Sequence, residues 1–229
     1  MNDAPTIADL LRDQEFPEVD VALRRGCHID EDTDRDQHLF IEQYQVALQA
    51  FYRAYDADLI RDPDGFWALI PLSTSPFRIR HLHRTEMVVG LALAHLRMDP
   101  AILASQMTVS EEQLLINIDA LFGGQERLQT LLGRGRGTRR AIHGQQKIRK
   151  IVRKAVSSLS RLGFLERQGE RLLLRAALAR FVDIARDPDP SVALNRLKER
   201  CRAIAGSAEE GRAPEAITDG TFDDEEDAL

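Results

Sequence analysis

Residues 145–175 read QQKIRKIVRKAVSSLSRLGFLERQGERLLLR. With Lys147 as origin and about 100° per residue, Ile148, Ile151, Val152, Ala155, Val156, Leu159 and Leu162 fall within roughly 40–180° of a helical wheel. Lys147, Arg149, Lys150, Arg153, Lys154 and Arg161 occupy the opposite arc, roughly 200–360°. One face is apolar and can bury; the other carries six cations and no acid. GFLER and ERLLLR follow, flanking Gln168-Gly169, and read as two short strands around a turn. A helix running into a hairpin is the back half of a winged-helix unit, and there it is the helix offered to the DNA major groove.

Two apolar-faced helical segments precede this one, TEMVVGLALAHLRM (85–98) and SEEQLLINIDALF (110–122). The second opens on Ser110 with Gln113 three residues on, a capping box. Three helices and a two-stranded wing therefore make one unit. A similar pattern stands earlier. In QHLFIEQYQVALQAFYRAY (37–55), Phe40, Tyr44, Ala47, Leu48, Phe51 and Tyr55 form one helical stripe. ADLIR and FWALIP then flank DPDG, where Pro63 sets a turn angle and Gly65 accepts a conformation other residues resist. Pro17 and Gly26 bracket a short helix before these elements.

The chain is thus expected to be mainly α with short β-hairpins (α+β), built as tandem winged-helix domains. The first spans 1–75 and the second 76–187, joined near LSTSPFRIRHLHR. AALARFVDIARD and PSVALNRLKERCRAIA add helices, the last over 188–205, and 206–229 forms a disordered acidic tail. The tail holds nine acids against one base, net −8, which leaves +2 for residues 1–205 because the whole chain is −6. The mildly basic body with an acidic tail suggests a nucleic-acid partner, or a tail that mimics one.

No apolar run approaches the roughly 20 residues of a membrane span. The opening MNDAPTIADLLRDQEF lacks a basic-then-apolar signal, which points away from export. Cys27 and Cys201 stand far apart with no CxxC pair, fitting a reducing cytoplasm.

FPEVDVALRRGCHI (16–29), LIRDPDGFWALIPLSTS (59–75), EMVVG (86–90) and SSLSRLGF (157–164) closely resemble the MukE family, the small non-SMC subunits of the bacterial condensin MukBEF. The likeness runs from Phe16 to about Arg180. It implies a tandem winged-helix protein without catalytic activity that forms a homodimer. It also implies binding to the kleisin MukF and, through MukF, to the SMC ATPase MukB. The setting implied is cytoplasmic and nucleoid-associated, in chromosome condensation, organisation and segregation, with subunits of this kind lining part of a DNA-binding chamber. An Mks-type condensin subunit is the related alternative; a self-contained winged-helix transcription regulator is the alternative of a different class.

Lys147, Arg149, Lys150, Arg153 and Lys154 are the expected DNA-backbone residues, since Lys and Arg neutralise phosphates without reading sequence. A face for an acidic protein segment, including the chain's own tail, and a merely solvated face are the competing readings. GRGRGTRR (133–140) lacks the GK[ST] ending of a phosphate-cradling loop and has no strand before it. Its Arg134, Arg136, Arg139 and Arg140 are read as further DNA-seeking residues. His81, His83 and His95 lack the spacing and carboxylate or thiolate company of a metal site. No cofactor is expected. In the first wing Phe66 and Trp67 must face opposite ways; Phe66 is read as inward and Trp67 as directed at a partner. His28 is read as a partner or packing residue rather than a catalyst.

Overall fold

The computed structural model describes residues 5–78, 80–122, 141–182 and 190–209. A short helix α1 (Ile7–Leu10) and α2 (Phe16–Arg24) lead into strand β1 (Ile29–Asp30). α3 (Arg35–Gln43) and α4 (Gln45–Arg53) follow, then the hairpin β2 (Ala57–Arg61) and β3 (Phe66–Pro71). After a connecting stretch come α5 (Arg84–Arg97), a one-turn α6 (Pro100–Ala104), β4 (Thr108–Ser110) and α7 (Glu111–Phe122). The basic helix α8 (Ala141–Arg161) runs into the hairpin β5 (Leu165–Gln168) and β6 (Arg171–Leu174). A 3₁₀ segment (Ala176–Phe181) and α9 (Pro190–Glu209) complete the described chain.

The fold is α+β. Each hairpin gains a third strand from earlier in the chain, giving antiparallel sheets of order β1-β3-β2 and β4-β6-β5. The order helix, strand, helices, hairpin therefore occurs twice. Two- and three-residue strands such as β1 and β4 carry too little periodicity to be read from sequence. The capping box at Ser110 forms as expected: Gln113 N–H donates to Ser110 Oγ at 3.1 Å and Ser110 N–H to Gln113 Oε1 at 2.8 Å.

Three local expectations are corrected. The stripe over 37–55 is two helices, because the chain breaks at Tyr44 (φ −103°, ψ 17°). The break shifts the helical phase, so Tyr52 is buried in place of Phe51 and Tyr55. The second hairpin turns at Gly169-Glu170, one residue later than expected. Gln168 pairs with Arg171, and Gly169 takes φ +63°, which glycine adopts without steric cost. AALARF forms a 3₁₀ segment rather than an α-helix.

The two sheet-and-helix units share a strand. Alternate residues of β3 point to opposite faces, as pleating requires, and both faces are covered. Phe66 and Ala68 enter the core around α5, α8 and the second sheet. Trp67 and Leu69 enter the core around α2, α3, α4 and the first sheet. Trp67 is fully buried, so the expectation that it faces a partner is overturned; its partner is the first unit's own core.

The units are stitched again at His28, which is buried between Phe66 and Phe164, with ring centroids 5.4 and 4.4 Å away. Its backbone N–H and its Nδ1 both reach the Leu162 carbonyl, at 3.0 and 2.8 Å. Arg180 Nη1 lies 2.6 Å from Nε2. A carbonyl only accepts and a guanidinium only donates, which selects the neutral imidazole with its proton on Nδ1. Burial, and then the Arg180 charge, lower the His28 pKa to about 4 against the Leu162 hydrogen bond. His28 is thus an internal fastener: of its reading as a partner or packing residue, the packing half is what the structure shows, and the partner-binding half is corrected. Beside it Arg175 pairs with Asp34 at 2.9 Å across the same seam.

The approach is close enough to require glycine at 163. Its φ is +76°, and a Cβ there would lie 2.3 Å from the His28 carbonyl oxygen. Gly163→Ala should cost about 2–4 kcal/mol in urea unfolding; an unchanged midpoint would refute the seam. The pH dependence has a definite sign. His28 is depressed, so its contribution is complete above about pH 6.5 and is lost as pH falls through about 4. That loss should be on the order of 3 kcal/mol, and His28→Gln should flatten it.

Candidate nucleic-acid interface

Helix α8 lies along α5 with the apolar face expected: Ile148, Val152, Ala155, Val156, Leu159 and Leu162 are buried. Ser158 joins them because it is satisfied: it donates to buried Glu86, and Arg80 donates to it at 2.7 Å and to Glu86 at 3.0 Å. Lys147, Arg149, Lys150, Arg153, Lys154 and Arg161 are all exposed.

The basic face is divided. Helix α7 begins beside α8, and its first turn carries Glu111 and Glu112, where the helix dipole favours negative charge. Glu112 takes Arg149 at 3.3 Å, and Glu111 takes Arg153 at 2.9 Å and Arg167 from β5. Burial raises the Glu111 pKa, but hydrogen bonding and charge from Arg153, with Arg167, outweigh it and hold the carboxyl below its ordinary value. Among the described residues, Lys147, Lys150, Lys154 and Arg161 form no ion pair. These four fall within roughly 300–360° of the wheel and run about 21 Å along the helix. The sequence-expected set thus separates into an open lysine-rich stripe and an edge of arginines already engaged by carboxylates. Arg134, Arg136, Arg139 and Arg140 lie outside the described residues.

This divided helix belongs to a chain whose residues 4–228 match the model of the MukE-like family. The chain belongs to the MukE-like family. It is similar to the chromosome partition protein MukE of Shigella flexneri, 31% identical over 195 residues, covering 83% of this chain and 85% of that protein. The chromosome partition protein MukE of Pasteurella multocida is 34% identical over 187 residues, 80% of this chain and 75% of that one. That of Haemophilus ducreyi is 30% identical over 218 residues, 93% and 90%.

In this MukE-like chain the carboxylates of α7 are the site residues that sequence reading missed. Their signal was present, as two acids between the two residues of a capping box, but nothing in the sequence says that a helix 37 residues away in numbering ends up beside them. Glu111, Glu112, Arg149, Arg153, Arg167 and Arg171 line a groove of about 640 Å³ between α7, α8 and the second hairpin. Its mixed charge suits it less to a polyanion than the open stripe. Among the described residues no helix is long and apolar enough to cross a membrane.

Glu111→Gln should release Arg153 and Arg167 at a cost of about 0.5 kcal/mol in helix-dipole stabilisation. The protein should then elute from immobilised heparin at higher salt. Its salt slope should steepen by up to about 0.9 for each freed arginine that meets the polyanion. Unchanged elution would mean that the arginines stay engaged elsewhere.

Proposed function

We propose that this chain is a chromosome-partition protein that acts without catalysis, as the MukE-type subunit of a MukBEF-like condensin in the cytoplasm at the nucleoid. It is a tandem winged-helix protein that assembles as a homodimer with the kleisin MukF, and through MukF with the SMC ATPase MukB. Within that assembly α8 holds DNA by its backbone, without sequence preference. Family membership supports the setting. The repeated order of helix, strand, helices and hairpin, with a three-stranded antiparallel sheet of the same order each time, supports the winged-helix reading.

The observation that carries the DNA contact is the open stripe of Lys147, Lys150, Lys154 and Arg161 on a helix whose other face is fully committed to the core. Lysines act as point charges toward phosphate and impose little bidentate geometry. Such a stripe gives affinity and position, while base edges go unread.

Replacing Lys150 and Lys154 with Gln keeps good helix formers on the solvent side. If both meet phosphates, the slope of log K against log salt should shrink by roughly 1.8, at about 0.9 per contact, for all DNA sequences alike. Binding to MukF in a pull-down should be unaffected. Loss of the MukF complex with DNA binding intact would assign the stripe to a protein partner instead.

A further inference from the structure

We propose that the open stripe of Lys147, Lys150, Lys154 and Arg161 on α8 is the docking site of the chain's own acidic segment Asp219–Asp227, which there competes with DNA. The four cations are exposed and, among the described residues, form no ion pair. The arginine edge of the same helix differs. Arg149 and Arg153 already hold Glu112 and Glu111, at 3.3 and 2.9 Å. An added carboxylate therefore gains most at the stripe, which stays turned outward because the opposite side of α8 is buried in the core. The docking follows from charge and reach; its effect on DNA rests on the role of α8 proposed above.

Residues 219–227 read DGTFDDEED, six acids and no base. Extended chain rises about 3.3 Å per residue, so Asp223, Asp224, Glu225, Glu226 and Asp227 set out one negative charge per rise. One strand of B-DNA carries a charge about every 3.4 Å. The acidic run thus offers a cationic helix nearly the linear charge density of a DNA strand. In extended form Asp219 to Asp227 covers about 26 Å, against about 21 Å for the stripe. Lysine donates to a carboxylate or a phosphate from many directions, so neither ligand needs a fixed geometry.

The tether is long enough. α9 ends at Glu209, and its last turns lie near the C-terminal end of α8. Arg84 at the start of α5 donates to the Ile204 carbonyl at 3.2 Å, and Glu86 in the same turn accepts from Ser158 of α8. Asp219 lies ten positions after Glu209, up to about 33 Å of extended chain. A helix with its side chains is about 10–12 Å across. The segment can therefore round α8 at its Arg161 end and run along the stripe toward Lys147. Such a tether gives an effective concentration of about 1 mM. A segment with a dissociation constant of about 0.1–0.5 mM then lowers DNA affinity roughly three- to tenfold.

The test places benzoylphenylalanine at position 222 of the full chain, without DNA, and maps the photocrosslinks by mass spectrometry. They should fall on α8 between Lys147 and Arg161. They should vanish when Asp223, Asp224 and Asp227 become Asn and Glu225 and Glu226 become Gln, a variant that leaves the body of the protein untouched. They should also fade at about 1 M salt, where the screening length is about 3 Å. Without the photoprobe, the same neutral variant should bind a short duplex roughly three- to tenfold more tightly at low salt, with the difference closing as salt rises. Equal affinity of variant and parent would overturn the competition. Crosslinks elsewhere on the chain, or none, would overturn the docking, and DNA binding that depends on Lys150 and Lys154 would survive that result. Crosslinks to α8, with DNA affinity indifferent to Lys150→Gln and Lys154→Gln, would uphold the docking and remove the DNA reading instead. Covalent dimers joined from position 222 to α8 would place a second copy's segment on the stripe and overturn the intramolecular assignment.

Discussion

Everything in this structure hangs on a strand that is buried on both faces. β3 sends Phe66 and Ala68 into one core and Trp67 and Leu69 into the other, so neither unit has a complete core without it. The cost of exposing an aromatic pair of this size is several kcal/mol, which ties the two units into one cooperative body. The His28–Leu162 contact then fixes their relative position at one point, and Gly163 is the residue small enough to allow it. Leu162 stands one residue beyond α8. The fastener that joins the units therefore also anchors the C-terminal end of the helix that carries the charge.

Charge on that helix is sorted by its neighbour. α7 is opened by a capping box, and the acids that suit its N-terminal dipole are the same acids that engage Arg149 and Arg153. Each such exposed pair contributes little to stability. Its consequence is electrostatic: it removes the planar, fork-shaped cations from the open surface and leaves mostly lysines. An acidic chain thereby presents a localised cationic stripe, and the stripe suits backbone contact better than base readout.

Much of this was legible in the sequence where periodicity was long. The inner and outer faces of α8 followed from a wheel, and the Ser110 cap from a four-residue pattern. Both hairpins followed from turn residues flanked by apolar runs, with one turn misplaced by a residue because Gln168 pairs in the ladder. What could not be read depended on tertiary partners. β1 and β4 are too short to have a period. Trp67 alternates with Phe66 as expected, but only the fold reveals that a second core waits on its side. The seam at His28 joins residues 134 positions apart, as far beyond local pattern as the pairing of Glu111 with Arg153.

The central claim is that a duplex lies against the lysine stripe of α8 and not against its arginine edge. Site-specific photocrosslinking in the assembled complex addresses this directly, with benzoylphenylalanine at Ser157, which the wheel sets next to Lys150 and Arg161, or at Glu112 on the opposite edge. The account predicts crosslinks to duplexes of unrelated sequence from position 157 and few from position 112. Crosslinks from 112 alone, or from neither position while the complex holds DNA, would contradict it.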